Sequence, residues 1–280
     1  MKKVAVVTGC SSGFGLLSAI ELAKRGFQVV ATMRDLARNE RLVQAAKEVG
    51  VEKLIDIRRL DVTEFDYVFS AVHNINRDYG HIDTLVNNAG YALAGFAEDI
   101  QLDELHQQLE TNFFGQVAMT KAVLPTMRAQ RSGHIIMVSS ISGLAANPVT
   151  SSYSASKFAL EGWSEALRIE LQSLGIRVVL VEPGAYDTDI WNRNVRLGKT
   201  TNTDASPNRD RSRRFANVVK TKLKKADPME VAQLIVRIAE DPNPKLRYLI
   251  GRDAKLRYWA RRVLPWKRYE KLVEKMSAIG

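Results

Sequence analysis

The chain of 280 residues is long for one ordinary domain and short for two, a length that suits a single α/β domain with appendages. Its 45% hydrophobic content supplies a sizeable core, no apolar run reaches the ~18 residues of a membrane span, and the lone cysteine, Cys10, excludes an internal disulfide. The net charge of +10 is uneven: residues 191–225 hold 11 Lys/Arg against 2 Asp/Glu and residues 243–280 hold 11 against 3, which leaves the rest mildly acidic and points both segments toward anions.

Met1-Lys-Lys and the short run after it read as a first β-strand and not a signal peptide, because the run leads straight into a glycine-rich loop. That loop is Thr8-Gly-Cys-Ser-Ser-Gly-Phe-Gly15, and it opens a helix. Glycines at 9, 13 and 15 permit a tight turn and close backbone approach, while the helix N-terminus offers N–H groups and a positive dipole end to a pyrophosphate.

Short β-branched runs at 4–8, 28–32, 54–60, 82–87, 134–139 and 176–182 alternate with stretches of helical period at 16–23, 36–49, 105–127 and 153–174. Gly26, Gly50, Gly80, Gly133 and Gly175 are expected to close those helices. The alternation predicts a doubly wound, Rossmann-type α/β fold with a parallel sheet and ligand sites beyond the carboxyl ends of the strands. After the second strand, Met33 holds the place of an NAD-selecting acid and Arg34 follows it. An arginine there suits a 2′-phosphate, so NADP(H) is favoured, while a two-residue shift of register to Asp35 keeps NAD(H) open.

The run 134–139 leads to Ser140, and Tyr153 follows thirteen positions later with Lys157 one helical turn beyond. Residues i and i+4 share a helix face, so the Lys157 ammonium is placed to favour the Tyr153 phenolate over its ordinary pKa of about 10. Ser140 can donate to a carbonyl oxygen and stabilise charge developing there.

Residues 185–225 lose periodicity in a polar stretch and are predicted to form a long loop or substrate lid. Asp227-Pro-Met-Glu230 opens another helix, 231–240, and 247–251 reads as a last strand that completes a catalytic domain spanning 1–251. The remainder, 252–280, is a basic helical extension. Leu256, Trp259 and Val263 are expected to pack onto the domain or across a subunit contact, with peripheral contact to an anionic membrane as the alternative. No nucleic-acid motif accompanies the charge, and no specific nucleic acid is expected.

The spacing Thr-Gly-x-x-x-Gly-x-Gly, together with Asn87-Asn-Ala-Gly90, Asn112, Ser140, Tyr153-x-x-x-Lys157 and Pro183-Gly-x-x-x-Thr188, resembles the short-chain dehydrogenase/reductase family over residues 3 to about 190. The resemblance implies that Tyr153 gives and takes a proton, Lys157 lowers its pKa and binds the nicotinamide ribose, Ser140 positions the substrate oxygen, and Asn112 holds a water linking Lys157 to solvent. It further implies a dinucleotide loop of Gly9, Ser11, Ser12, Gly13, Phe14 and Gly15. Asp61 and Val62 would meet the adenine, Asn87, Ala89 and Gly90 would line the cofactor cleft, and Pro183, Gly184 and Thr188 would pack against the nicotinamide. No metal is expected.

Within the family, Ala31-Thr-Met-Arg-Asp35, Val181-Glu-Pro-Gly184 and the length are similar to the hydroxysteroid and retinol dehydrogenase branch. That likeness implies a small hydrophobic substrate, an alcohol or a carbonyl compound, with Tyr91, Leu93, Phe96, Leu144, Tyr186 and Trp191 as candidate pocket residues that could equally be core. The lid arginines 209, 211, 213 and 214 read as a solvated loop, with a clamp for an acidic substrate group as the alternative. The family implies a homo-oligomer, dimer or tetramer, and the single cysteine suits a reducing cytoplasm. Two other readings stay open: an NAD-dependent alcohol dehydrogenase of the same family, and a catalytically weak dinucleotide-binding regulator that uses its basic segments for partner contact.

Overall fold

The computed structural model describes residues 1–191, 194–222 and 225–278. In chain order the elements are β1 (Val4–Thr8), α1 (Gly13–Lys24), β2 (Gln28–Met33), α2 (Glu40–Glu48), β3 (Ile55–Arg59), α3 (Phe65–Tyr79), β4 (Thr84–Asn87), β5 (Ala92–Ala94), α4 (Leu102–Leu109) and α5 (Gly115–Gln130). They continue as β6 (Gly133–Val138), α6 (Ser151–Leu171), β7 (Ile176–Pro183), β8 (Val195–Leu197), α7 (Arg209–Lys222), α8 (Met229–Glu240), β9 (Arg247–Ile250), α9 (Arg252–Val263) and α10 (Trp266–Ser277).

Seven parallel strands form one sheet in the order β3-β2-β1-β4-β6-β7-β9, and β5 pairs with β8 in a small second sheet. The strand order reverses between β1 and β4, so the cleft above their carboxyl ends is where such folds bind ligands. Successive strand residues divide between two cores: Ala5, Val7, Val29, Ala31, Ile136 and Val138 join α1 and α8. Val6, Val30, Leu85, Ile135 and Met137 join α3, α5 and α6 on the other face. Both faces are apolar, which is why these strands read in sequence as unbroken hydrophobic runs.

Several elements differ from the sequence expectation. The helix expected over 36–49 begins as a 3₁₀ turn, Leu36–Arg38, capped by Asp35, and becomes α-helical only at Glu40. The stretch 105–127 is interrupted by a π-helical turn, Glu110–Phe114, between α4 and α5. Gly80 and Gly175 take the left-handed conformation that ends a helix, but beside Gly133 that conformation belongs to Arg131. Gly133 instead opens β6, where an added Cβ would lie 2.5 Å from the Met127 sulfur.

The lid is not a plain loop. Beyond a short 3₁₀ turn it adds β8 to β5 and then forms α7, whose charge-dense sequence carries almost no apolar period. It is tied down at several points: Arg41 pairs with Asp189 at 2.7 Å, the Lys199 N–H donates to Glu104, and Arg196 stacks on the Tyr91 ring at 4.5 Å.

Candidate active site

β6 carries the chain to Ser140, whose Oγ accepts from the Ser142 N–H at 3.1 Å. That bond leaves the Ser140 hydrogen free to donate toward Tyr153, whose phenol Ser140 draws downward in pKa. Tyr153 and Lys157 lie one turn apart on α6, both 4% exposed. The Lys157 ammonium sits 5.8 Å from the Tyr153 ring centroid and donates to the Val138 carbonyl at 2.7 Å. The carboxyl end of β6 therefore holds Ser140 and Lys157 together.

Asn112 lies in the π-helical turn and is fully buried. Such turns push one residue out of helical register, and they recur at functional sites. The Asn112 amide accepts from the Tyr91 N–H at 3.1 Å and donates to the Tyr91 carbonyl at 3.0 Å and to Ser156 Oγ at 3.2 Å. Ser156 in turn donates to the Tyr153 carbonyl at 2.7 Å. Asn112 thus fastens the Tyr91 segment to the turn of α6 that carries Tyr153, while still lining the same cavity as Lys157.

Burial dominates the charge states. It pushes the Tyr153 phenol up to about 12, with the Ser140 hydrogen bond opposing. It pushes the Lys157 ammonium down to about 8, with the Glu161 carboxylate opposing. The expected lowering of Tyr153 by Lys157 does not carry here, because desolvation of the buried phenol dominates.

Below Lys157 lies a buried ionic cluster that the sequence reading missed. Arg247 of β9 pairs with Glu161 of α6, with Glu182 of β7 at 2.8 Å and with Glu165 at 2.6 Å. Glu182 is 1% exposed, and burial together with the neighbouring Glu161 pushes it up to about 7. Nothing in the spacing of these four residues signals a cluster; only the pairing of β7 with β9 brings them together.

The glycine loop forms the expected cradle. Gly9 and Gly13 have φ of +74° and +57°, and a Cβ at Gly15 would fall 2.3 Å from the Gly9 carbonyl oxygen. The backbone N–H groups at the start of α1 face this space, the arrangement that accepts a pyrophosphate. Ser12 is the N-cap residue of α1, with its Oγ accepting from Asn194 at 3.4 Å, and Ser11 is half-buried beside it. Phe14 meets Tyr186 edge-on at 5.7 Å, and Thr188 lies against Gly13.

Asn88, which the sequence reading passed over, does much of the bracing. Its side chain donates to the Thr8 carbonyl at 2.8 Å and to the Gly9 carbonyl at 3.3 Å. Thr8 Oγ1 accepts from the Asn88 and Ala89 N–H groups. Asn87 turns the opposite way, its amide donating to Thr120 Oγ1 at 2.9 Å inside the core toward α5. The placement of Asn87 in the cleft is therefore corrected: Asn88 and Gly90 line the cavity. Successive residues at a strand end point to opposite faces.

Arg34 is exposed just past β2, whereas Met33 is buried. The Asp35 carboxylate accepts from the Ala37 N–H at 3.0 Å through one oxygen, as a helix cap. Asp61 likewise accepts from the Thr63 N–H and hydroxyl, and Val62 packs under Gly115. Both stand past the end of β3, four strands from β6 in the sheet, and neither lines the Tyr153 cavity.

Pro183, Gly184 and Thr188 close the far side of that cavity. At Gly184 a Cβ would lie 2.2 Å from the Asp253 carboxylate, which would have to move to admit it. Of the candidate pocket residues, Tyr91 and Tyr186 line the cavity. Leu93 is core in β5, Phe96 lies under Arg211, and Leu144 packs against α9. The Trp191 side chain falls outside the described residues.

A doubly wound sheet that carries a tight glycine loop and, in one cavity at the same end, a serine, a tyrosine and a lysine defines an α/β oxidoreductase. The chain belongs to the short-chain dehydrogenase/reductase family, whose short chain dehydrogenase model matches residues 3–197. It is 44% identical to the uncharacterized oxidoreductase YusZ of Bacillus subtilis over 276 residues, 98% of each chain. It is 37% identical to human retinol dehydrogenase 8, covering 91% of this chain and 82% of that one, and 35% identical to mouse 17-beta-hydroxysteroid dehydrogenase type 1, covering 88% and 72%. A short-chain dehydrogenase from Streptomyces avermitilis has a crystal structure with a TM-score of 0.83 at 30% identity, over 99% of this chain and 97% of that one. The structure of ElxO with NADP bound gives 0.73 at 25% identity, over 88% and 96%.

Proposed function

We propose that this oxidoreductase transfers hydride between NADP(H) and a hydroxyl or carbonyl group on a small apolar substrate. The observation that carries the reading is that Ser140, Tyr153 and Lys157 line one cavity with the apolar faces of Phe14 and Ile190. When bound, the nicotinamide supplies the hydride. In reduction Tyr153 passes its proton to the substrate oxygen that Ser140 holds, and in oxidation it takes that proton back. A phenol held up near 12 is protonated at neutral pH, the form reduction uses.

The remaining residues position the cofactor. The first turn of α1 holds the pyrophosphate, and Arg34, exposed just past β2, reaches the 2′-phosphate. Lys157 spends one of its three donors on Val138 and offers the others to ribose hydroxyls. Pro183, Gly184 and Thr188 bound the nicotinamide end. NADP in the ElxO structure, and retinol and steroid activities in the names of two relatives, support cofactor and substrate class.

The test is a substrate panel of apolar ketones, aldehydes, retinoids and steroids assayed with NADPH and with NADH. Turnover of apolar members with a preference for NADPH is expected. Absence of turnover across the panel, or a preference for NADH, would contradict the reading.

A further inference from the structure

The C-terminal extension turns an apolar ridge outward. α9 packs Ala254 and Tyr258 against Ile141, Leu144 and Ala145, which puts Leu256, Trp259 and Val263 on its opposite face at spacings of three and four. These three are 72%, 57% and 70% exposed, so the packing onto the domain expected from sequence does not occur. Arg252, Lys255 and Arg262 flank the ridge and are exposed with it. Past Pro265, α10 adds exposed Trp266 and Met276 and a basic face of Lys267, Arg268, Lys271 and Lys275.

Residues 252–280 hold nine Lys/Arg against three Asp/Glu, and one of those acids, Asp253, accepts from the Ala185 N–H at 2.8 Å. An apolar ridge flanked by cations is satisfied on both counts at an anionic lipid boundary, where aliphatic and indole groups enter the acyl edge and cations meet headgroup phosphates. A nucleic acid would answer the charge and leave Leu256 and Val263 wet. No helix among the described residues is long and apolar enough to cross a membrane, so the contact is peripheral.

We propose that α9 and α10 seat this protein on an anionic membrane surface. The seat is braced to the active site, because Arg257 donates to the Ala145 carbonyl and Asp253 grips the backbone next to Gly184. Passage of an apolar substrate from lipid into the cavity rests on the proposed function; the seating does not.

The test is co-sedimentation of the full chain with vesicles of equal parts phosphatidylcholine and phosphatidylserine, beside vesicles of phosphatidylcholine alone. The protein is expected to pellet with the anionic vesicles only and to be released as salt is raised. Replacing Leu256, Trp259 and Val263 together by serine should weaken binding about tenfold or more. Lys255→Glu with Arg262→Glu changes four elementary charges and should weaken it about six-hundredfold, at about fivefold per charge. Both variants should keep the wild-type circular dichroism spectrum, since all five side chains are exposed.

Wild-type protein that stays in the supernatant with anionic vesicles would overturn the proposal, as would both variants pelleting like wild type. If the serine variant instead splits a wild-type dimer in the ultracentrifuge and neither form binds vesicles, the ridge is a subunit contact and the proposal fails. None of these outcomes bears on hydride transfer, which the substrate panel tests separately.

Discussion

The Lys157 ammonium donates a 2.7 Å hydrogen bond to the Val138 carbonyl, tying the middle of α6 to the end of the strand that delivers Ser140. Burial lowers this lysine from 10.5 to about 8, so the folded state releases its proton before the unfolded state does. Between pH 8 and 10.5 the unfolded chain binds more protons, and stability therefore rises with pH. Below pH 8 the buried charge costs about 3 kcal/mol, offset by about 1 kcal/mol from the Val138 bond. Lys157→Met should then be more stable than wild type by about 2 kcal/mol at neutral pH, with the gap closing as pH approaches 10.5. Urea unfolding at several pH values measures it; a gap that widens with pH would contradict the assignment.

Arg247 neutralises two buried carboxylates, Glu161 and Glu182. Arg247→Met leaves both unpaired and should destabilise the protein by about 3–5 kcal/mol. Adding Glu161→Gln and Glu182→Gln to that variant should restore part of the loss, because the stranded charges are then gone. Denaturation midpoints for the three proteins give the comparison, and equal midpoints for the single and triple variants would show that the cluster is not the cause.

At Gly15 a methyl group would strike the Gly9 carbonyl of the backbone as well as the Asn88 amide. Gly15→Ala should displace the Gly9 turn and lower NADPH affinity about tenfold or more while the fold survives. Fluorescence titration of NADPH is the measurement, and unchanged affinity would mean that the cradle is not where the pyrophosphate sits.

Arg34 is exposed and Asp35 is engaged at its cap. Removing the arginine should cost NADPH about 1.5–3 kcal/mol, the range for a charged hydrogen bond, and leave NADH nearly unchanged. The ratio of kcat/KM for the two cofactors in Arg34→Ala reports it directly. A parallel fall with both would place Arg34 outside the cofactor site.

Most of the sheet was legible because turn glycines and β-branched runs mark each strand, and Tyr153 and Lys157 were legible because an i, i+4 pair needs only a helix. Asn87 was placed in the cleft and Asn88 passed over for a physical reason: both faces of β4 are buried, so alternation leaves no trace in the sequence. The helix α7 was missed because its arginines and lysines hide any apolar period. The π-helical turn at Asn112 has no sequence signature at all, and the Arg247 cluster depends on β9 lying beside β7. Leu256, Trp259 and Val263 show the limit in the other direction, since apolar spacing identified a helix face but not which way it points.

The central claim is that Tyr153 carries the proton in hydride transfer. Tyr153→Phe removes one hydroxyl from a buried site and keeps the ring, so NADPH should bind with near wild-type affinity by fluorescence while kcat for an apolar carbonyl substrate falls about 10²–10⁴-fold. Retention of wild-type kcat in Tyr153→Phe, with NADPH bound, would contradict the account.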